Sequence, residues 1–429
     1  MNINQTKQFI NEDKVRNLFE KLYGKDEVSN QIKRYEATLD GYAKTFGDSE
    51  VKLFSSPGRT EISGNHTDHN HGKVIGGSIN LDCVGVAGKT NGNVVRVISE
   101  TFNQDITISL DNLSHGNRNT GTEELLKGIL QGFVEKGFNV GGFNAYITSN
   151  VIASAGVSSS AAFETLICQI VNTLFNDNKI DIVTYAHISK FAENVYWEKS
   201  SGLLDQMCCA AGGLISIDFK NPLTPKVKKL DFDFASTGYK LIIVQTGRGH
   251  ADLSEDYSSI PNEMKKVAKF FDKEVLADIT LKDVLDNFMK LREYAGDRAV
   301  IRAIHFFEEN DRVDAEVLAL EKGDFKTFLE NVNESGNSSW KYLQNCFTNA
   351  APQEQGITNV LALTELFLKK KGCGACRVHG GGFAGVIMTL LPNDIAEEYI
   401  EYIESHTQRK SAFNMIIRPL GSICINDVV

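Results

Sequence analysis

An α+β protein built as two lobes is predicted by three observations. The chain has 429 residues, too many for one ordinary core and suited to two or three units that each bury their own. Its first half sets strands rich in branched residues before apolar helices, and its second half alternates strands with helices. Between the halves lies a polar stretch near 220–236, KNPLTPKVKKLDFD, whose prolines mark a boundary.

Composition narrows the function classes. Hydrophobic residues make up 42% and charged residues 23%, a globular balance that excludes a largely disordered chain or a coiled coil. The formal charge of -10 repels a phosphate backbone, and no segment interleaves Lys/Arg with aromatics densely enough to offset it, so nucleic acid is not an expected partner. The first residues carry charges throughout, without the apolar run of a signal peptide or membrane helix, so a cytoplasmic chain with no membrane partner is expected. Cys83, Cys168, Cys208 and Cys209 sit in apolar surroundings and read as reduced core thiols. Cys373 and Cys376 form a CxxC with no second pair and no histidine placed to complete four ligands.

The elements follow in order. Residues 10–45 alternate charges with Leu18, Leu22, Tyr35 and Tyr42, which predicts amphipathic helices on the outside of a lobe. From Val51 the pattern turns to β: VKLFSS, VIGGSINLDCVGVAG and VVRVIS, with TNGN as a turn. A helix over 123–136 and a strand over 142–148 come next. In SSSAAFETLICQIVNTLF, Ala162, Leu166, Ile170 and Leu174 recur every four residues behind serines, predicting a buried helix. Helices are expected at 183–199 and near 203–211, then a strand at 213–219. Beyond the boundary, YKLIIVQT, VIMTLL and FNMIIRP read as strands, and IPNEMKKVAKFFDKEVL, VDAEVLALEKGDFKTFLENV and VLALTELFLKK as helices.

Two nucleotide motifs almost match and fail. CVGVAGKT (83–90) has Cys83 where a P-loop needs glycine, and a turn follows where a helix should open. GGGFAG (380–385) satisfies GxGxxG but precedes a strand, so no helix N-terminus faces a pyrophosphate. Three other clusters carry more. In SNVIASAGVSSSAAFE, Ser158, Ser159 and Ser160 reach the first turn of a helix, where hydroxyls and free N–H groups make a phosphate cradle; a plain N-cap with spare serines stands beside that reading. SSPGRTEISGNHTDHNHG (55–72) packs Arg59, His66 and Asp68 into what reads as a glycine-bearing loop between β segments, suited to a polyol and a phosphate or simply solvated. In KSSGLLDQMCCAAGG, Asp205 stands in an apolar helix and needs a partner; Arg59 is the candidate, for a structural ion pair or a functional one.

Taken in this order, PGRTEISGNHTD, GVSSSAA and GLLDQ resemble the galactokinase family of the GHMP small-molecule kinases. TGRGHADLSEDY (246–257) and HGGGFAGV (379–386) resemble two further segments of that family, and the likeness spans roughly residues 50–390. The resemblance implies the GHMP kinase fold, with an N-terminal ribosomal-S5-like α/β lobe (1–230) and a C-terminal ferredoxin-like α+β lobe (231–429). It implies an ATP-dependent sugar 1-kinase using Mg²⁺, most simply galactose to galactose 1-phosphate. A kinase for galacturonate, arabinose or an N-acetylhexosamine is the alternative, and a non-catalytic sugar sensor a further one. A monomer or weak dimer is expected.

By the same resemblance Asp205 takes the proton of the anomeric hydroxyl and Arg59 keeps Asp205 ionised and stabilises the transferring phosphoryl. Gly156, Ser158, Ser159, Ser160 and Ala161 bind the nucleotide, with Ser159 and Glu193 as Mg²⁺ ligands. Asn65, His66, Asp68, Gly202 and Tyr257 contact the sugar. The chain departs from the family at Asn65, where a glutamate is usual, at His69 in place of tyrosine, and at Ile152 and Ser154 in the serine loop. The loss of a negative charge at Asn65 predicts tolerance of a substituted or anionic sugar C6.

Overall fold

The computed structural model describes residues 1–116, 121–152, 156–198, 201–247 and 253–429. Seven strands of the first half, β1 (Lys52–Ser63), β2 (Lys73–Lys89), β3 (Val94–Ser99), β4 (Gln104–Ser109), β5 (Phe143–Ser149), β6 (Leu214–Asp218) and β7 (Lys226–Leu230), join one sheet. Its order is β12-β1-β2-β5-β3-β4, where β12 (Ile423–Cys424) arrives from the C-terminal end of the chain. The long β2 is shared: Lys73–Gly77 pairs with β6, and Cys83–Lys89 with β5. Pairing is antiparallel except between β3 and β5. The stretch read as a linker contains β7, which extends the sheet beyond β6; as a short edge strand exposing lysines, it has too little apolar pattern to show itself.

Side-chain alternation on β2 sorts the two faces of this sheet. Val84 and Val86 meet the N-terminal helices Ile3–Ile10, Asp13–Tyr23 and Val28–Phe46 through Phe19, Tyr35 and Leu39. Cys83 and Ala87 join the opposite core with Leu166 and Ile170 of the helix Ser159–Phe175. Each of these buried aliphatic side chains contributes about 1.5–3 kcal/mol by leaving water.

The second half forms a four-stranded antiparallel sheet, β11-β8-β10-β9, from β8 (Tyr239–Gln245), β9 (Ala375–His379), β10 (Val386–Pro392) and β11 (Ala412–Met415). One face packs on the helices Gly356–Lys371 and Ala396–His406 through Ile242, Val378, Ile387 and Tyr399. Two further helices, Asp297–Glu321 and Phe325–Ser338, form the joint, since the first touches β2 and the second both β1 and β9. The sequence reading merged parts of these two into one helix; the chain breaks at Gly323, in a left-handed conformation with φ 69°. Among the described residues no helix is long and apolar enough to cross a membrane.

Candidate active site

Arg59 stands on a strand. β1 runs straight through the PGR segment that sequence reasoning had placed in a loop, with register shifts at Pro57/Arg59 and Glu61/Ser63. These bulges accommodate the proline and re-aim the side chains that follow it. Gly58 lets the serine loop approach: a Cβ there would lie 2.6 Å from the Val157 carbonyl oxygen. The neighbouring Arg59 N–H donates to that same carbonyl at 3.1 Å. The Arg59 side chain donates to the Gly156 carbonyl and, through Nε and Nη2, to Asp205 Oδ1, each of the latter at 2.7 Å. Burial opposes the Arg59 charge, but Asp205 and Glu61 outweigh it and raise its pKa above the ordinary value.

The serine helix starts without a side-chain cap. Ser158, its N-cap residue, has φ 59° and turns its hydroxyl onto Asp205 Oδ2 instead of onto the helix. The N–H groups of the first turn are therefore left to an anion, with the helix dipole behind them. Behind this turn, Ser160 Oγ donates to Glu193 Oε1 at 3.1 Å, and Gln206 Nε2 donates to Glu193 Oε2 at 2.9 Å. Glu193 lies on a π turn, Ala192–Tyr196, that follows the helix Ile182–Phe191; such turns re-aim one residue without ending the rod. The serine that the structure brings to Glu193 is Ser160, where sequence reasoning chose Ser159, because a helical step of one residue turns Ser159 away by about 100°.

Asp205 opens the helix Leu204–Ala211, whose other face buries Met207 and Cys208. Its side chain keeps 35% of its surface exposed while Arg59 keeps 8%. One end of the pair keeps an open side and the other is sealed.

The expected sugar contacts divide. Asp68 and Gly202 meet: a Cβ on Gly202 would fall 2.0 Å from Asp68 Oδ2, so a larger residue there would push the Asp68 carboxylate aside. They line a cavity of about 250 Å³ with His69, His71, Lys190 and Lys265. Asn65 is elsewhere. Its amide is fully buried, donating to Glu61 Oε1 (2.8 Å) and the Gly380 carbonyl (2.7 Å) and accepting from Asn345 (2.8 Å) and Ser339 (3.2 Å). With every polar position of the side chain engaged by protein, Asn65 ties the two halves together and is corrected from sugar contact to joint residue. His66 donates from Nε2 to the Gly381 carbonyl at 2.8 Å, and Tyr257 from its hydroxyl to the Gly382 carbonyl at 3.2 Å. Burial lowers the His66 pKa despite that bond. Both thus rest on the late glycine loop. Ser154, residues 199–200 and residues 248–252 of the TGRGHADLSEDY segment lie outside the described residues.

Two models of known families match the chain: the galactokinase galactose-binding signature over residues 40–89 and the GHMP kinases N-terminal domain over 124–213. A curated galactokinase of Clostridium acetobutylicum is 30% identical over 379 residues, covering 84% of this chain and 90% of the relative. The chain belongs to the galactokinase family. A galactokinase of Clostridium tetani is 28% identical over 351 residues, covering 82% of this chain and 86% of its own. Among solved structures, the galactokinase of Lactococcus lactis complexed with galactose matches with a TM-score of 0.78 at 23% identity, over 91% of this chain and all of the other. The mevalonate kinase of Methanococcus jannaschii matches at 0.59 and 16%, over 86% and 99%. These likenesses establish the GHMP kinase fold.

Within this galactokinase-family chain, sequence reasoning missed the supports of the site. His379, at the end of β9, accepts from Glu61 N–H (3.1 Å) on Nε2, which leaves its proton on Nδ1. Burial, then Arg59 and Arg377, hold its pKa far below the ordinary value. Nδ1 has no partner among the described residues and stands 3.5 Å from where a Gly156 Cβ would be. Arg377 donates to Glu61 at 2.8 Å and to the Ile62 carbonyl at 2.6 Å. Arg377 lies in no motif, and His379 opens HGGGFAGV without a role of its own there; charged or polar side chains within the β-patterned ACRVH were the further signal.

Proposed function

We propose that the protein is an ATP-dependent sugar 1-kinase of the galactokinase type, transferring the γ-phosphoryl group of ATP to the anomeric hydroxyl of galactose or a close relative of it. The observation that carries this is the linkage at Asp205: one carboxylate oxygen held by Arg59, the other by Ser158 at the mouth of an uncapped helix. An ionised base and an anion-ready helix start meet on one residue.

The chemistry follows from that geometry. The sugar hydroxyl enters on the open side of Asp205 and donates to the oxygen that Ser158 holds, so Ser158 is free to turn toward the phosphates. Asp205 orients the hydroxyl and accepts its proton as the bond from the sugar oxygen to the γ-phosphorus forms and the bond from that phosphorus to the β-phosphate oxygen breaks, with ADP as the leaving group. Arg59 keeps Asp205 ionised and stabilises charge on the transferred group. The first-turn N–H groups from Ser159 to Ala161 hold phosphate oxygens, which needs no reorganisation at the moment of transfer.

The residues present fit Mg²⁺. Glu193, the Ser160 hydroxyl and the buried Gln206 Oε1, which has no hydrogen-bond partner among the described residues, are the hard oxygen donors this ion takes. When bound there, Mg²⁺ would neutralise charge on the β- and γ-phosphates. The lobe assignment proposed is 1–230 for the phosphate and sugar loops and 231–429 for the second sheet, with β12 returning to the first. Purified protein assayed for ADP release with a panel of sugars tests the reading; no sugar-dependent release with any hexose would overturn it.

A further inference from the structure

The cavity beside Asp68 contains more positive charge than a neutral sugar needs. Lys190 reaches it from the helix Ile182–Phe191, and Lys265 from the helix Ser254–Lys269 of the other half. Asn70 fixes the second helix against the sugar loop, donating to Met264 Sδ at 3.5 Å and accepting from Leu276 N–H at 3.3 Å. His69 and His71 complete the rim. Neither ammonium has a carboxylate within ion-pair distance among the described residues, in contrast to Lys220 nearby, which pairs with Asp278. Asp68 is the one acidic side chain in the lining.

Such an arrangement is costly when empty. Burial lowers the Lys190 pKa, Asp68 pulls it back and Lys265 lowers it further. At His71, burial and then Lys190, Lys265 and Lys220 outweigh Asp278 in the same direction. Partly desolvated like charges held together by two different elements are relieved by one anion between them. The volume, about 250 Å³, lies just below the ~300–1,000 Å³ of drug-sized sites and suits part of a monosaccharide.

Position sets what the anion belongs to. Gly202 and Leu203 line the cavity, and Asp205 follows two residues later on the same segment. On the kinase reading, a sugar that presents its anomeric hydroxyl to Asp205 would direct its far end along Gly202 toward Asp68 and the two lysines. We propose that this pocket is an anion subsite of the sugar site, and that the preferred substrate is a hexose bearing an anionic group, of carboxylate size, remote from the hydroxyl that is phosphorylated. The proposal rests on the kinase reading for its orientation. Its carrier is the Lys190/Lys265 pair, since Asn65 is sealed in the joint.

Binding without nucleotide separates the two. Calorimetry on the full-length protein compares galactose, galacturonate and inorganic phosphate, with Lys190→Met, Lys265→Met and Lys265→Arg alongside. Galacturonate is expected to bind about 10-fold tighter than galactose, the scale of one charge-assisted hydrogen bond. That ratio should collapse in both methionine variants and be largely kept by Lys265→Arg, with melting temperatures confirming that all are folded. A wild type that binds galactose as well as galacturonate, or a preference that survives both methionine substitutions, overturns the subsite. Phosphate that binds the wild type alongside galactose, and is lost in the variants, assigns the pocket to a free anion and overturns the substrate claim. A lysine-dependent preference without ADP release from any sugar supports the subsite and removes the kinase reading instead.

Discussion

Asp82 and Asp205 are both aspartates that accept from an arginine and a serine, yet one is sealed and the other keeps an open side. Asp82 lies on β2 with its side chain fully buried. Arg34 Nη1 reaches Oδ1 at 2.6 Å and Arg418 Nη1 reaches Oδ2 at 3.1 Å, while Tyr23 (2.6 Å) and Ser55 also donate to Oδ2. These partners come from the N-terminal helices, β1 and the C-terminal end, so the cluster fastens three distant parts of the chain. Asp205 has Arg59 on one oxygen, a rotatable serine hydroxyl on the other, and 35% of its surface exposed. The comparison teaches that pairing alone does not identify a working acid. What distinguishes the two is whether a bound molecule can replace one of the donors.

The largest effect expected from breaking this comparison is on turnover. Asp205→Asn should lower kcat by about 10²–10⁴-fold, the usual weight of a general base, with a melting temperature close to wild type because the amide oxygen still accepts from the buried Arg59. A variant that unfolds instead would make Asp205 a second Asp82. In the opposite direction, Asp82→Ala leaves Arg418 buried without its counter-charge and should cost about 3–5 kcal/mol of stability, read from urea midpoints. Whatever protein remains folded should keep its KM for the sugar.

Ser158→Ala sharpens the contrast at lower amplitude. Losing one hydrogen bond to a charged group should change kcat/KM by about 10-fold. An unaltered kcat/KM would mean that Ser158 does not position Asp205. The smallest effect is in acid. Burial works against the Asp82 charge, and Arg34 and Arg418 more than reverse it, so its folded pKa lies below the ordinary 3.8. The stability it contributes is complete above that unfolded value and is lost as pH falls through the lower folded one. The stability gap between wild type and Asp82→Asn should therefore be constant from pH 7 to 5 and close below about 4.

Much of this was legible locally. The serine helix, Asp205 in its apolar surroundings and the strand after GGGFAG are patterns within a few residues, and hydrophobic periodicity reports such elements directly. Arg59 was legible as a residue but misplaced in a loop, because Pro and Gly read as turn signals while bulges against β2 keep the strand going. Asn65 misled for a different reason. A polar residue in a sugar-binding motif reads as a contact, and nothing nearby reveals that Asn345, Ser339 and Gly380 occupy its hydrogen-bonding positions.

By itself the sequence determined the α+β class, the family resemblance and the choice of Asp205, Arg59 and the serines 158–160 as candidates. These depend on residue type and short spacing, which local physics reads. Only the tertiary structure decided that β12 closes the first sheet, that Ser160 is the serine at Glu193, that Asn65 belongs to the joint and that Lys190 and Lys265 share one cavity. Each of these joins residues far apart along the chain, and burial and hydrogen-bond saturation are properties of such a meeting, absent from either partner alone.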